Sequence, residues 1–452
     1  MEILNEQGAT SLRKTQDNIS YNYDRLDKKY SELLTKDREC FVDVDANVTQ
    51  QPTGKLGPVA EMGIMADAIY RMGYRESACV YAVQGLNAVL GGNKADIVPR
   101  KLLQNWESPN IETMFVRMWL KLFMLSLYHA DRKDAEEVMK YWISQEPQSA
   151  EPFIRFGLLR ALHASRDGCP VPSDALEALL QANRLLNNER SATALLLVEN
   201  SILKKLVVPY DSVHLWVYPD IKNMTTYVLL EQGDWFEDEI ALFRDLIRPG
   251  DRILDLGANV GVYSISAAQR TGSNGRVISV EPCNETFKLL DRSAAAFDNM
   301  TAINIAVGDK NGRGYLELDS GPEFNKVRAG EGDGEAVNIT SVDELAERVG
   351  IDHFDLIKID VEGYEIPTIR GAKKIIEEGD PIIFYEAGGG KSVDLELVDV
   401  FQKLGYDSYF FWAPRKALIR FSRVNQPDLC IINMVAARPG SLNRLKEVVC
   451  VE

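Results

Sequence analysis

One seven-residue stretch constrains this chain more than any other: Asp255-Leu-Gly257-Ala-Asn259-Val-Gly261. It lies between a β-rich run, Arg252-Ile-Leu-Asp255, and a helical run, Val262-Tyr-Ser-Ile-Ser-Ala-Ala-Gln269. Glycine adopts φ > 0 without steric cost and lets backbone or ligand come close, and Asn tolerates that region better than most residues. A strand that turns through such a segment into a helix opens a βαβ unit. Further β-rich runs follow at Arg276–Val280, Thr301–Ile305, Asp355–Ile359 and Pro381–Tyr385. Their near-continuous apolar content suits parallel strands covered by helices on both faces. Two later runs, Ser408–Trp412 and Asp428–Asn433, have no strong helix between them and are expected to close the sheet as an antiparallel pair. The prediction for residues 206–440 is therefore an α/β domain with a seven-stranded, mostly parallel sheet.

The 452-residue chain is too long for one ordinary core. From residue 59 to 205 the apolar spacing is helical, predicting an all-α helical-hairpin domain. Ala130-Asp-Arg-Lys-Asp-Ala135, followed by Ala150-Glu-Pro-Phe153 and Gly157, is similar to part of a tetratricopeptide repeat. Weaker echoes stand at Gly73–Ala78 and at Asp174–Ala178 with Leu186–Ala192. Small residues let paired helices approach, and Pro starts a helix where its missing N–H costs nothing. Within residues 1–40, Leu12, Ile19, Tyr23, Leu26, Tyr30 and Leu33 form a heptad-like stripe. That stripe fits either a short coiled coil making a homodimer or a helix packed on its own chain. Residues 43–58 read as a linker.

Composition narrows the partners. A net charge of -16 argues against a duplex nucleic-acid ligand, which rewards clustered Lys and Arg. No apolar run reaches the length of a membrane span, and the N-terminus lacks a signal-peptide core. The six cysteines are scattered without a metal-ligand or disulfide spacing, so reduced thiols and a cytoplasmic location are expected.

Charged residues at strand ends carry the chemistry. A dinucleotide fingerprint would read G-x-G-x-x-G, with a helix N-terminus facing pyrophosphate. Here Asp255 precedes Gly257, Asn259 and Gly261. A carboxylate there would repel pyrophosphate but attract the ammonium end of a methionine moiety. Glu281, ending the next strand, can accept from both hydroxyls of a ribose. Asp309, after Val307-Gly308, can accept from an adenine amine or simply make a turn. Lys358, Asp360 and Glu362 cross the end of the fourth strand, and Glu386 ends the fifth. Charges emerging at the carboxyl ends of parallel strands lie in the crevice where open α/β sheets bind ligands. Crowded carboxylates raise one another's pKa, which suits a base that takes a proton from a hydroxyl. Asp360, Glu362 and Glu386 also offer the oxygen ligands a divalent cation prefers, but no histidine joins them and no metal is expected.

Four segments together resemble the FkbM family of S-adenosylmethionine-dependent methyltransferases: Asp255–Gly261, Glu281-Pro282, Lys358-Ile-Asp-Val-Glu-Gly363 with Gly371-Ala372, and Phe384-Tyr-Glu386. The resemblance spans about Val208 to Ala437. It implies a Rossmann-like class I methyltransferase fold and O-methylation, typically of a sugar hydroxyl in a glycan or natural product. It also implies cofactor binding by Asp255, Gly257, Asn259, Gly261 and Glu281, and an active-site edge at Asp360 and Glu362. A long polar segment, 319–336, departs from the pattern and is a candidate lid. The competing readings are a scaffold with an inactive cofactor fold and an NAD-dependent oxidoreductase. The oxidoreductase is disfavoured by Asp255 and the missing third glycine.

Overall fold

The computed structural model describes residues 136, 139–140, 143–144 and 147–451, apart from 201–202, 238, 318–324, 388–392, 413–416 and 422–432. All of these belong to one compact unit of the chain. The heptad-like stripe, the linker and the repeat echoes before residue 136 lie outside the described residues.

After helical residues at 136, 139–140 and 143–144 come three helices: α1 (Glu151–Arg166), α2 (Ser173–Leu186) and α3 (Glu189–Glu199). Pro152 sits in the first turn of α1, where its missing N–H is harmless. A Cβ on Gly157 of α1 would meet Leu179 Cγ of α2 at 2.5 Å, so the close approach of these helices needs glycine. Asn188 caps α3 by accepting from the Ser191 N–H at 3.0 Å. Strands begin with the hairpin β1 (Leu206–Tyr210) and β2 (Val213–Val217). It is followed by α4 (Met224–Gln232) and α5 (Glu239–Leu246). Buried Arg155 of α1 pairs with buried Glu231 of α4 at 3.2 Å, tying the helices to the segment before the sheet.

The sheet is then built by β3 (Arg252–Leu256), α6 (Val262–Thr271), β4 (Arg276–Val280), α7 (Asn284–Ala294) and β5 (Met300–Ile303). A small second sheet interrupts it, made of β6 (Ala306–Gly308), β7 (Gly312–Glu317), β8 (Lys326–Ala329) and β9 (Glu335–Ser341). The main sheet resumes through α8 (Val342–Val349), β10 (Leu356–Ile359), α9 (Glu365–Gly371), α10 (Lys373–Gly379) and β11 (Ile382–Glu386). It ends with α11 (Leu395–Lys403), β12 (Asp407–Trp412), β13 (Ala417–Arg420), β14 (Asn433–Ala437), α12 (Leu442–Lys446) and β15 (Cys450–Val451).

Among the described residues the main sheet has nine strands, in the order β15-β13-β12-β14-β11-β10-β3-β4-β5. Five of them, β11-β10-β3-β4-β5, are parallel, and they contain the runs the sequence marks as core. β10, β3, β4 and β11 bury nearly every residue, as a sheet covered on both faces requires. The sheet is mixed, not a seven-stranded one with a simple hairpin end. β14 runs antiparallel to both β11 and β12, and β13 and β15 extend the edge to Val451, beyond the expected limit of 440. The expected late antiparallel pair is that of β12 with β14; residues 428–432 of the second run lie outside the described residues. No described helix is long and apolar enough to cross a membrane.

The chain leaves β3 towards β4 and β5 on one side and returns to β10 and β11 on the other. The strand order therefore reverses between β3 and β10. Ligands of open α/β sheets bind outside the carboxyl ends of the strands at such a reversal.

Candidate active site

The glycine turn follows β3 at this reversal. Gly257 and Ala258 donate their N–H groups to the Val280 carbonyl at 3.0 and 2.9 Å, fastening the turn to the tip of β4. Gly257, Asn259 and Gly261 all have positive φ (79°, 48° and 104°). A Cβ on Gly257 would lie 1.7 Å from the Asp360 carbonyl oxygen, so the tips of β3 and β10 approach closely only through a glycine.

Two buried carboxylates stand beside the turn. Asp255 accepts from the Ser264 hydroxyl of α6 at 2.5 Å and is almost closed off from solvent. Burial pushes its pKa up to about 6, against the opposing effects of the Ser264 hydrogen bond and the Lys358 charge. Glu281 accepts from the backbone N–H of Asn259 at 3.0 Å and of Cys283 at 2.9 Å. Burial pushes it up to about 7 despite those donors. Each of its oxygens keeps a lone pair for a further donor.

Lys358 is paired in register with Asp255 across the parallel strands, so both side chains project to the same face. It is 1% exposed. Its ammonium donates to Asp360 at 2.9 Å and to Asn433 at 3.1 Å, and lies 5.2 Å from the centre of the Tyr263 ring. Burial works against its charge, but Asp360, Glu237 and Asp255 outweigh burial and hold its pKa above the ordinary lysine value. Asp360, Glu362 and Glu386 bring one oxygen each to within 4.8 Å of the others, close enough to share a cation. Glu362 has φ 50°, an uncommon conformation for a non-glycine, followed by Gly363 at 85°. Glu365 holds this turn by accepting from the N–H groups of Gly363 at 3.1 Å and Val361 at 3.3 Å. Burial raises the Glu362 pKa to about 8, and the charges of Glu386 and Asp360 add to the shift.

The structure thus brings Asp255, Gly257, Asn259, Gly261, Glu281, Lys358, Asp360, Glu362 and Glu386 to one edge of the sheet. Asp309 is placed differently. It follows β6 of the small sheet, not a strand of the main one, and is exposed. Part of the polar segment expected as a lid is strand: it includes β8 and the start of β9.

The family model of the Methyltransferase FkbM domain matches residues 255–408. This segment is an FkbM methyltransferase domain. A curated relative, ribosomal RNA large subunit methyltransferase E of Sorangium cellulosum, is 53% identical over 36 residues, which are 8% of this chain and 17% of that protein. Similar solved structures include an FkbM methyltransferase from Methylobacillus flagellatus, with 16% identity and a TM-score of 0.29. That match covers 48% of this chain and 54% of the other. Fibrillarin from Aeropyrum pernix with bound S-adenosyl-L-methionine is 13% identical at a TM-score of 0.29, over 54% of this chain and 86% of that one.

The FkbM domain holds most of the site, but two buried polar residues come from outside it. Glu237 precedes β3 and accepts from the Tyr263 hydroxyl at 2.6 Å. Asn433 opens β14 opposite Glu386. Sequence reasoning singled out neither of these, nor Tyr263, Ser264 or Glu365. The one available signal was Lys358 itself, because a lysine inside an apolar strand requires counter-charges.

Proposed function

We propose that the FkbM domain binds S-adenosylmethionine and transfers its methyl group to a hydroxyl oxygen of a small molecule or glycan, with a sugar hydroxyl as the leading acceptor. The observation that carries this reading is the row of carboxylates at the tips of adjacent strands where the strand order reverses. Asp255 and Glu281 stand on one side of the reversal, and Asp360, Glu362 and Glu386 on the other. This donor set fits the cofactor, whose ammonium, sulfonium and ribose diol all call for acidic partners. The glycine turn leaves room for a ligand against the backbone.

When bound, S-adenosylmethionine supplies an electrophilic methyl on a positively charged sulfur. Glu281 would hold the ribose hydroxyls with the lone pairs its backbone donors leave free. Asp255, braced by Ser264, would lend negative charge to the methionine end. Asp360 would accept the acceptor's proton, with Lys358 fixing one of its oxygens. Glu362 and Glu386 would orient the acceptor hydroxyl, since a protonated carboxyl can donate while its neighbour accepts. Holding two reactants in line can remove about 7–11 kcal/mol of barrier. A positioned base adds about two to four orders of magnitude.

The test incubates purified protein with S-adenosylmethionine carrying a labelled methyl and with glycan and small-molecule hydroxyl acceptors. Label gained as a base-stable methyl ether is the expected result. Absence of binding to both S-adenosylmethionine and S-adenosylhomocysteine would sink the reading.

A further inference from the structure

Lys358 poses an electrostatic question. The site as read above receives a cation, yet a fully buried ammonium stands at its floor. Its partner Asp360 neutralises one charge, and Asn433 contributes only a neutral carboxamide oxygen. Asp255 is directly beside it in the sheet but is half-occupied by the Ser264 hydroxyl. Each anion that shares the Lys358 charge leaves the other carboxylates of the crevice freer to attract a sulfonium.

Tyr263 points to a second carboxylate within reach of Lys358. The face of its ring lies 5.2 Å from the Lys358 ammonium, and its hydroxyl donates to Glu237 at 2.6 Å. One side chain therefore touches both charges, with the cation on the electron-rich face and the carboxylate at the hydroxyl. Glu237 is 7% exposed, so little water screens it from Lys358. The Trp235 side chain also donates to it. Burial raises its pKa, while the Lys358 charge and these two donors act in the opposite direction and favour the ionised form.

We propose that Glu237 is a positioning residue that shares the Lys358 charge with Asp360 and so strengthens the pull of the crevice carboxylates on the sulfonium of the bound cofactor. This rests on the cofactor reading above. A residue outside the matched segment 255–408 would then set how strongly the domain prefers S-adenosylmethionine to its neutral product.

The experiment measures Kd for S-adenosylmethionine and for S-adenosylhomocysteine by calorimetry, on the full chain and on Glu237→Gln. The substitution keeps the shape and removes the charge. S-adenosylmethionine should weaken about tenfold, while the neutral product changes much less, as expected for loss of one partly screened charge near a cation. Equal weakening of both, or no change in either, overturns the proposal and leaves the cofactor reading intact. If the unmodified protein binds neither compound, the cofactor reading fails and this inference fails with it. Should Glu237→Gln not fold, the double variant Glu237→Gln/Lys358→Met decides, because it removes the cation together with its balance. A folded double variant supports charge compensation, and one as unfolded as the single variant overturns it.

Discussion

At the scale of single residues, the site is a set of charges whose meaning depends on their neighbours. Asp360 joins the buried ammonium to the acidic cluster, so it is the residue whose loss separates binding from chemistry. Asp360→Asn should bind S-adenosylhomocysteine within about threefold of the parent but lose about 10²–10⁴ in turnover. Undiminished methyl transfer by this variant would remove Asp360 as the base. Gly257 is constrained by space as well as by φ. Gly257→Ala places a methyl 1.7 Å from a backbone oxygen, so the tips of β3 and β10 must move apart. The expected outcome is loss of cofactor binding together with a lower melting temperature, read from a thermal scan with and without S-adenosylhomocysteine. The motif glycines and the charges at strand ends were legible in the sequence because φ and strand alternation are local properties. Glu237, Tyr263 and Asn433 were not. Nothing within a few residues of them marks the position of Lys358, which lies 121, 95 and 75 residues away in sequence by subtraction of residue numbers.

At the scale of elements, the parallel strands could be read directly from composition. A strand covered on both faces must be largely apolar, and β10, β3, β4 and β11 are, with charges confined to Asp255, Lys358 and the strand ends. The antiparallel end was less legible, since apolar runs mark what is buried but not that β14 sits between β11 and β12 or that β13 and β15 add to the edge. The small sheet was missed for a similar reason: its strands are short and half exposed, and polar loop composition conceals them. Yet this sheet bears on the site. Gly371, at the end of α9, packs against β6 so tightly that a Cβ would meet the Gly308 carbonyl oxygen at 1.9 Å. Gly371→Ala should therefore push α9 off β6 and disturb the turn at Glu362 that precedes it. A cost of about 1–3 kcal/mol is expected for such overpacking. Chemical denaturation would measure it, and a variant as stable as the parent would show that the contact is slack.

At the scale of the whole molecule, gathering carboxylates at one edge makes folding sensitive to pH. Burial raises Asp255 to about 6, Glu281 to about 7 and Glu362 to about 8, all above the 3.8 or 4.5 of the free groups. In that range the folded state holds more protons than the unfolded one, so stability falls as pH rises. The contribution of these groups is complete below the ordinary carboxylate range and is lost by about pH 8. Glu362→Gln should consequently raise the melting temperature relative to the parent, by an amount that grows as pH increases from about 5 to 8. A difference that stays constant across that range would contradict the assignment of Glu362 as the most strongly shifted of the three. The sequence by itself determined the α/β order of the C-terminal half, the glycine turn and the acidic strand tips, because each depends on residues a few positions apart. Only the tertiary structure decided the mixed nine-stranded sheet, the place of Asp309 outside it, and the anions that balance Lys358. Those depend on which distant segments pack together, and a buried charge takes its partner from whatever the fold brings within reach.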